Sequence, residues 1–501
     1  MKKNKRRMVR LLAVVLAVLL VLGTLVSVIL STAYAEEAPA ANRCELKMEY
    51  LGEEQALRVS QRLVYTNESE FALDRAVFYA PANLFRRQTS LPYDGAALSA
   101  SFPAGYLPGG VELEAVRVNG EDADWGYQGA DEAYLRVACA LEPGQSAAFE
   151  FEYYLLLTQN AAFLGLSSED WRLSGFYFSP ASLDGAGEFI CNAPLSFTRY
   201  VDSPAMDFSA EITLPDSFAL AGTGAETSEA LENHRVRWEI HAQSARDFSL
   251  CFSRKFREFS RDTDSGVNVR LLTNVRGVSD EALSAAESAI EACEAWFGPA
   301  PFAQLDIVQA DCASGPLSQT ACLWLPASAL KSGGRALERA VYYFVAQQYF
   351  GCRAYARPSA DAWLSDSLCE YLSYLLIEEM DGYDAYLAAL NAGVVDALQL
   401  TIPGGLNLTS DAALLSESEY QIIIRDRGAA VFHELRTAMG REELIAGLRL
   451  FYEAGLRVDA LSEMDLVDAL DRASGESWEA FLTDWAFNIG EYVNQSIDWL
   501  D

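Results

Sequence analysis

Residues 336–351 read ALERAVYYFVAQQYFG, a polar loop follows, and residues 363–372 read WLSDSLCEYL. The first segment is a helical run, on which residues four apart share one face. Tyr343 and Gln347 are such a pair, and the next helix brings Asp366. Two side chains one turn apart plus a carboxylate from a neighbouring helix is an arrangement that can hold a metal ion. The chemistry offered here is different. Tyr343 is neutral at ordinary pH and a poor ligand, Gln347 supplies an uncharged amide oxygen, and Phe344 beside them cannot accept a proton.

The stretch resembles the core of the aminopeptidase N family of gluzincin zinc peptidases, in which HExxH is followed by Q-W-F-G and later by W-L-N-E-G. Gln348-Tyr349-Phe350-Gly351 stands for the first element and Trp363-Leu364-Ser365-Asp366-Ser367 for the second. The resemblance puts the two zinc-binding histidines at Tyr343 and Gln347, the general-base glutamate at Phe344 and the glutamate ligand at Asp366. Changes behind a metal's own ligands typically cost about 10–100-fold in affinity or activity, so losing two imidazoles should abolish ordinary zinc binding. Zinc, the family's cofactor, is therefore not expected here.

Other family elements follow in order. Arg246-Asp247-Phe248 resembles the r-D-F that ends the family's β domain, and Phe297-Gly298-Pro299-Ala300-Pro301-Phe302 resembles F-G-x-Y-P-Y. Gly315-Pro316-Leu317-Ser318-Gln319 stands for the G-x-M-E-N edge strand, with Ser318 where a glutamate would grip the substrate's amino terminus. Arg425-Asp426-Arg427-Gly428-Ala429 stands for Y-x-K-G-A, with Arg425 where a tyrosine would stabilise the oxyanion. Phe481 and Trp485 match aromatic residues that close the catalytic domain. The implied fold is α+β: an N-terminal antiparallel β-sheet domain, then a thermolysin-like, mainly helical gluzincin domain with a small sheet. The implied cleft contains Gly315, Ser318, Gln319, Tyr343, Phe344, Gln347, Asp366, Glu370 and Arg425.

The periodicity of the chain reads the same way. From Glu45 to Phe256 it is two: Leu57, Val59, Gln61 and Leu63 share a face, as do Phe149, Phe151 and Tyr153, and Met206, Phe208, Ala210, Ile212 and Leu214. Short alternating strands with Pro/Gly punctuation indicate an all-β domain over 45–256. A polar, turn-rich linker is expected at 257–267. The domain from 268 to 501 changes to helical period, with helices expected at Ser279–Phe297, Glu378–Ala392, Gly428–Met439, Glu442–Ala454 and Ser462–Ala473, and a strand at Leu305–Gln309.

The N-terminus carries Lys2, Lys3, Lys5, Arg6, Arg7 and Arg10 before an uncharged apolar run from Leu11 to Leu30, with Ala33-Tyr34-Ala35 beyond it. That pattern predicts a signal peptide cleaved after Ala35, an uncleaved anchor being the alternative, with 36–44 as an exposed linker. Either way the remainder is expected outside the cytoplasm, touching membrane only through that segment if it is retained. Without those six basic residues, 32 Lys and Arg face 71 Asp and Glu, a net of −39. Such a balance excludes nucleic acid and anionic membrane surfaces as partners. The nine cysteines show no C-x-x-C spacing, which argues against a cysteine zinc ribbon; Cys352 and Cys369 could be bridged. The three histidines, His234, His241 and His433, lie far from the motif in sequence.

Three functions fit these observations. The favoured one is a non-catalytic, peptidase-like protein that binds a peptide or envelope protein. The second is a hydrolase with a rebuilt site using Asp366, Glu370 or a cysteine. The third is a structural role in which Tyr343 and Phe344 fill the cleft.

Overall fold

The structure, a computed structural model, describes residues 42–493 except 94, 168–169, 194, 196–201, 314, 401 and 403–404. The expected leader at 1–35, residues 36–41 of the expected linker and the last residues, 494–501, lie outside the described residues. Among the described residues no helix is long and apolar enough to cross a membrane.

Alternation in the first half becomes three sheets. One has eight strands and two have four, all within Asn42–Ser253. Pairing is antiparallel apart from Asn42–Leu51 alongside Met206–Pro215. The inward face is apolar because every second residue points there: Leu57, Val59, Leu63, Phe149, Phe151, Tyr153, Ile212 and Leu214 are all buried. Gln61 shares that face and is buried too. Its side chain takes a backbone's place, donating to the Phe178 carbonyl at 2.6 Å and accepting from the Phe178 N–H at 2.9 Å.

A five-stranded sheet follows, ordered Arg257–Asp262, Asn268–Thr273, Gln304–Gln309, Cys322–Leu325 and Leu317–Gln319. Its central pairs are parallel, which requires a crossover, and the helix Ser279–Phe297 supplies one. Ala221 and Cys251 of the β domain pack against Leu272, Val308 and Trp324 of this sheet, joining the two halves through an apolar seam.

Beside that seam is a fully bonded charge cluster. Arg270 grips the fully buried Asp306 in a two-pronged pair at 2.9 and 2.6 Å, and the same guanidinium meets Glu226 of the β domain. Asp306 also accepts from the Gly222 N–H at 3.0 Å. Burial, then the charge of Asp306, pushes the Glu226 carboxyl above its ordinary value.

Two expected boundaries move. The first strand begins at Asn42, so the end of the expected exposed linker is strand, with Asn42 and Cys44 buried. The expected linker at 257–267 contains the strand Arg257–Asp262, paired antiparallel with Asn268–Thr273. It reads as linker because an edge strand held by backbone bonds needs little apolar surface, and Arg261 instead reaches Asp280 and Glu287 at 3.1 and 2.9 Å.

The helices lie close to their expected positions, with one correction. The expected continuous helix over Glu378–Ala392 is two helices, Ala362–Asp381 and Tyr383–Gln399. Gly382 between them has φ +88°, a conformation other residues rarely adopt, and its N–H caps the first helix at the Glu378 carbonyl. The Ala362–Asp381 helix is buried on all sides from Ala362 to Ile377. Its polar residues are accordingly bonded: Ser367 to the Ile424 carbonyl at 2.5 Å, and Ser373 to the Glu370 carbonyl at 2.6 Å. Gly428 lets the neighbouring helix come this close, since a Cβ there would stand 2.0 Å from Ser367 Oγ.

Candidate functional site

The helices Gly334–Tyr349 and Ala362–Asp381 pack side by side and bring the motif residues together. Helical spacing puts Arg339, Tyr343 and Gln347 in one row. Gln347 Nε2 donates to the Tyr343 hydroxyl at 2.9 Å and to Asp366 Oδ1 at 3.0 Å. The other oxygen of Asp366 accepts from the Tyr420 hydroxyl at 2.7 Å. Burial pushes the Tyr343 phenol well above its ordinary pKa despite the nearby Arg425, so it stays a neutral hydroxyl.

A second cluster lies beside the first. Glu370, fully buried, accepts from Arg425 Nε and Nη2 at 3.1 and 2.6 Å on one oxygen and from Arg339 on the other. Burial alone would raise its pKa, but the two guanidiniums outweigh that and hold it below the ordinary value. Arg339 also donates to the Tyr374 hydroxyl at 2.8 Å. The Arg425 guanidinium lies 4.1 Å from the centre of the Tyr343 ring, placing a cation over its face. Tyr420 ends a short helix, and Arg425 sits in the seven-residue π-helix Gln421–Arg427 that continues it, a winding often found at functional sites. Burial, then the charge of Glu370, pushes the Asp426 carboxyl up to about 6.

The expected edge strand is present at Leu317–Gln319. Gln348 ties it to the motif helix, donating to Ser318 Oγ at 3.0 Å and the Gln319 carbonyl at 3.1 Å while accepting from the Ala321 N–H at 2.7 Å.

These elements surround an open cleft of about 890 Å³ between the β sheets and the helices. Gly315, Ser318, Gln319, Tyr343, Phe344, Gln347, Asp366 and Arg425 all line it. Glu370 does not; it lies behind the two arginines, a correction to its expected place on the cleft wall. Tyr343 and Phe344 pack edge to face, ring centres 5.1 Å apart, as part of the wall rather than as a plug. The filled cleft of the third reading is therefore corrected.

Two residues that sequence reasoning missed hold the site together. Arg339 carries a signal, since it is one turn before Tyr343 on the same face. Tyr420 carries none, because its loop-rich surroundings give no periodicity to read. The remaining ligand-type side chains lie elsewhere. His433 is buried with Nδ1 2.5 Å from the Tyr386 hydroxyl, and His241 is exposed on its strand. His234 pairs with Asp216 at a turn. No disulfide joins any of the nine cysteines, so the bridge that Cys352 and Cys369 could have made is not formed; the Cys369 thiol donates to the Phe350 carbonyl at 3.3 Å.

The architecture is the two-domain M1 zinc metallopeptidase fold. A glutamate-to-alanine variant of the M1 zinc metallopeptidase from Deinococcus radiodurans superposes with TM-score 0.61 at 18% identity, over 90% of this chain and 94% of that one. A two-domain M1 zinc metallopeptidase variant bound to L-tryptophan gives 0.61 at 17%, over 90% and 94%. The Deinococcus radiodurans protein in a further structure gives 0.58 at 16%, over 92% of each chain. No family sequence model matches the chain, and no curated protein matches it in sequence.

Zinc is the metal that fold implies, and the donor set does not fit it. Zinc takes thiolate, imidazole and carboxylate ligands. Here the converging groups are a neutral phenol, an amide whose N–H₂ is aimed inward, and one carboxylate whose two oxygens already accept hydrogen bonds. The cation of Arg425 beside them adds repulsion.

Proposed function

We propose that this chain is an exported, non-catalytic protein of the cell envelope that uses a peptidase-type cleft to bind peptide or an extended protein segment. One observation carries the reading. The positions to which the sequence resemblance assigns the zinc ligands carry Tyr343, Gln347 and Asp366, the first and last each bonded to Gln347, and the cleft above them is open at about 890 Å³. A cleft of that size, lined by aromatic and aliphatic side chains together with fixed polar and charged groups, suits a small ligand or a peptide segment. Export is supported by the basic, then apolar N-terminal segment.

The reading of a rebuilt hydrolase draws less support. Asp366 has both oxygens engaged, Glu370 is locked behind two arginines, and burial pushes the Cys369 thiol well above its ordinary value, leaving it unreactive.

The test is to incubate the purified full chain, in mild detergent, with a degenerate octapeptide pool. Retained, uncleaved peptide is the expected result. Cleaved peptide would overturn the non-catalytic reading, and absence of any retained peptide would overturn peptide binding.

A further inference from the structure

The arginine pair in the cleft does more than brace the helices. Arg339 and Arg425 both line the cleft, with side chains 36% and 27% exposed. Between them they share one carboxylate, Glu370, so the trio carries a net positive charge. Glu370 takes Nη1 of Arg339 and both Nε and Nη2 of Arg425. Nε and Nη2 of Arg339 and Nη1 of Arg425 have no acceptor among the described residues. In a chain with 71 acidic against 38 basic residues, two guanidiniums converging in a concave site are a local exception.

Three carboxylates, Asp247, Asp366 and Glu417, share the cleft's lining with the arginines. Asp366, in the same wall, has both oxygens engaged by Gln347 and Tyr420. Asp247 accepts from the Thr320 N–H at 2.7 Å, and Asp426 from Gln421 at 2.8 Å. Glu417 stands with Ser416 and Ser418 in the cleft's lining, and the lining's third arginine, Arg246, is taken up by Asp459 at 3.6 Å and by the Ser203 and Asp459 carbonyls. Beside Arg339 and Arg425 an ammonium group would meet two guanidiniums, and Ser318, where the resemblance would put a glutamate, offers only a hydroxyl that already accepts from Gln348; Glu417 is the lining carboxylate left to it. A carboxylate would meet unused N–H donors, the planar Nε–Nη2 fork of Arg339 and the single Nη1 of Arg425, and a fork is the geometry that suits it best.

We propose that Arg339 and Arg425 capture a carboxylate of the bound peptide, so that the cleft takes its ligand by an acidic group rather than by a free amino terminus. The proposal rests on the peptide-binding reading above and names the chemistry of that ligand. The carboxylate has two sources, the peptide's carboxyl terminus or an aspartate or glutamate side chain.

The full chain in mild detergent is titrated with four octapeptide pools: unmodified, N-acetylated, C-amidated, and C-amidated with one internal glutamate. The pools otherwise lack acidic residues. N-acetylation should leave affinity unchanged. Amidation should weaken binding about tenfold or more, as expected for loss of a charge-assisted bidentate contact. Recovery by the internal glutamate would show that a side chain serves equally; no recovery would assign the site to the carboxyl terminus. Arg339→Gln should reduce the preference for acid over amide to less than about threefold, as one fork is lost. Equal binding of acid and amide pools overturns the carboxylate site while leaving peptide binding intact. Loss of binding on N-acetylation overturns it in favour of amino-terminal capture. Failure of all four pools overturns both readings. The pool comparison uses the unaltered chain, so it decides the matter even if the variant does not fold.

Discussion

Gln347 Nε2 lies 2.9 Å from the Tyr343 hydroxyl and 3.0 Å from Asp366 Oδ1, so one neutral amide bonds both neighbours across two helices. The same three positions converge in space as a metal-binding triad would. The two helices bring Tyr343 and Asp366 each within a hydrogen bond of Gln347.

The purified protein should hold less than one zinc per chain, and chelator should not shift its melting temperature. Hydrogen bonds among Tyr343, Gln347, Asp366 and Tyr420 already satisfy the buried polar groups, so folding needs no ion there. Elemental analysis and a thermal melt with and without chelator check this. A stoichiometric, chelator-sensitive zinc would show the donor argument to be wrong.

Restoring ligands should restore metal binding. Tyr343→His, Phe344→Glu, Gln347→His and Asp366→Glu together place two imidazoles one turn apart beside a carboxylate. Zinc should bind this variant measurably better than the parent in a competitive titration, though Arg425 leaves a cation beside the site. Hydrolysis of aminoacyl anilides should remain poor, because Ser318 offers no carboxylate to a substrate ammonium. A folded variant with no gain in zinc affinity would mean that the converging geometry is not transferable.

Glu370→Ala should cost about 2–4 kcal/mol, somewhat less than the roughly 3–5 kcal/mol for breaking a fully buried ion pair, because both arginines keep access to water in the cleft. Urea titration measures it. The pKa of Glu370 is lower folded than unfolded, so its stabilisation is fully present above the ordinary value of 4.5 and is lost as pH falls through the folded value. Wild-type stability should therefore fall as pH drops below 4.5, and Glu370→Gln should lose part of that dependence. An unchanged acid profile in Glu370→Gln would show that the pair contributes nothing.

Arg270→Leu should be the more damaging change, at about 3–5 kcal/mol, because it leaves Asp306 and Glu226 as two buried carboxylates without their cation. Adding Asp306→Asn should recover part of the loss by removing one of the stranded charges. A loss below about 1 kcal/mol, the range of an exposed pair, would mean that water reaches the cluster.

Local rules made much of this protein legible from its residues alone. Period-two alternation identified the β domain because each strand buries one face, and helix spacing placed Tyr343 and Gln347 together because i and i+4 share a face. Asp366 on the next helix was singled out by the family resemblance. What lacked a local signature was decided by packing. Arg257–Asp262 became a strand through backbone pairing that its polar side chains do not announce. Arg339, Glu370 and Arg425 lie far apart in sequence, and only the tertiary structure makes them one charged cluster; it also decides that Tyr420 reaches Asp366 and that the cleft stays open. Periodicity reports which face a residue occupies, whereas charge pairing and cavity shape depend on which segments meet, and that is a property of the folded chain as a whole.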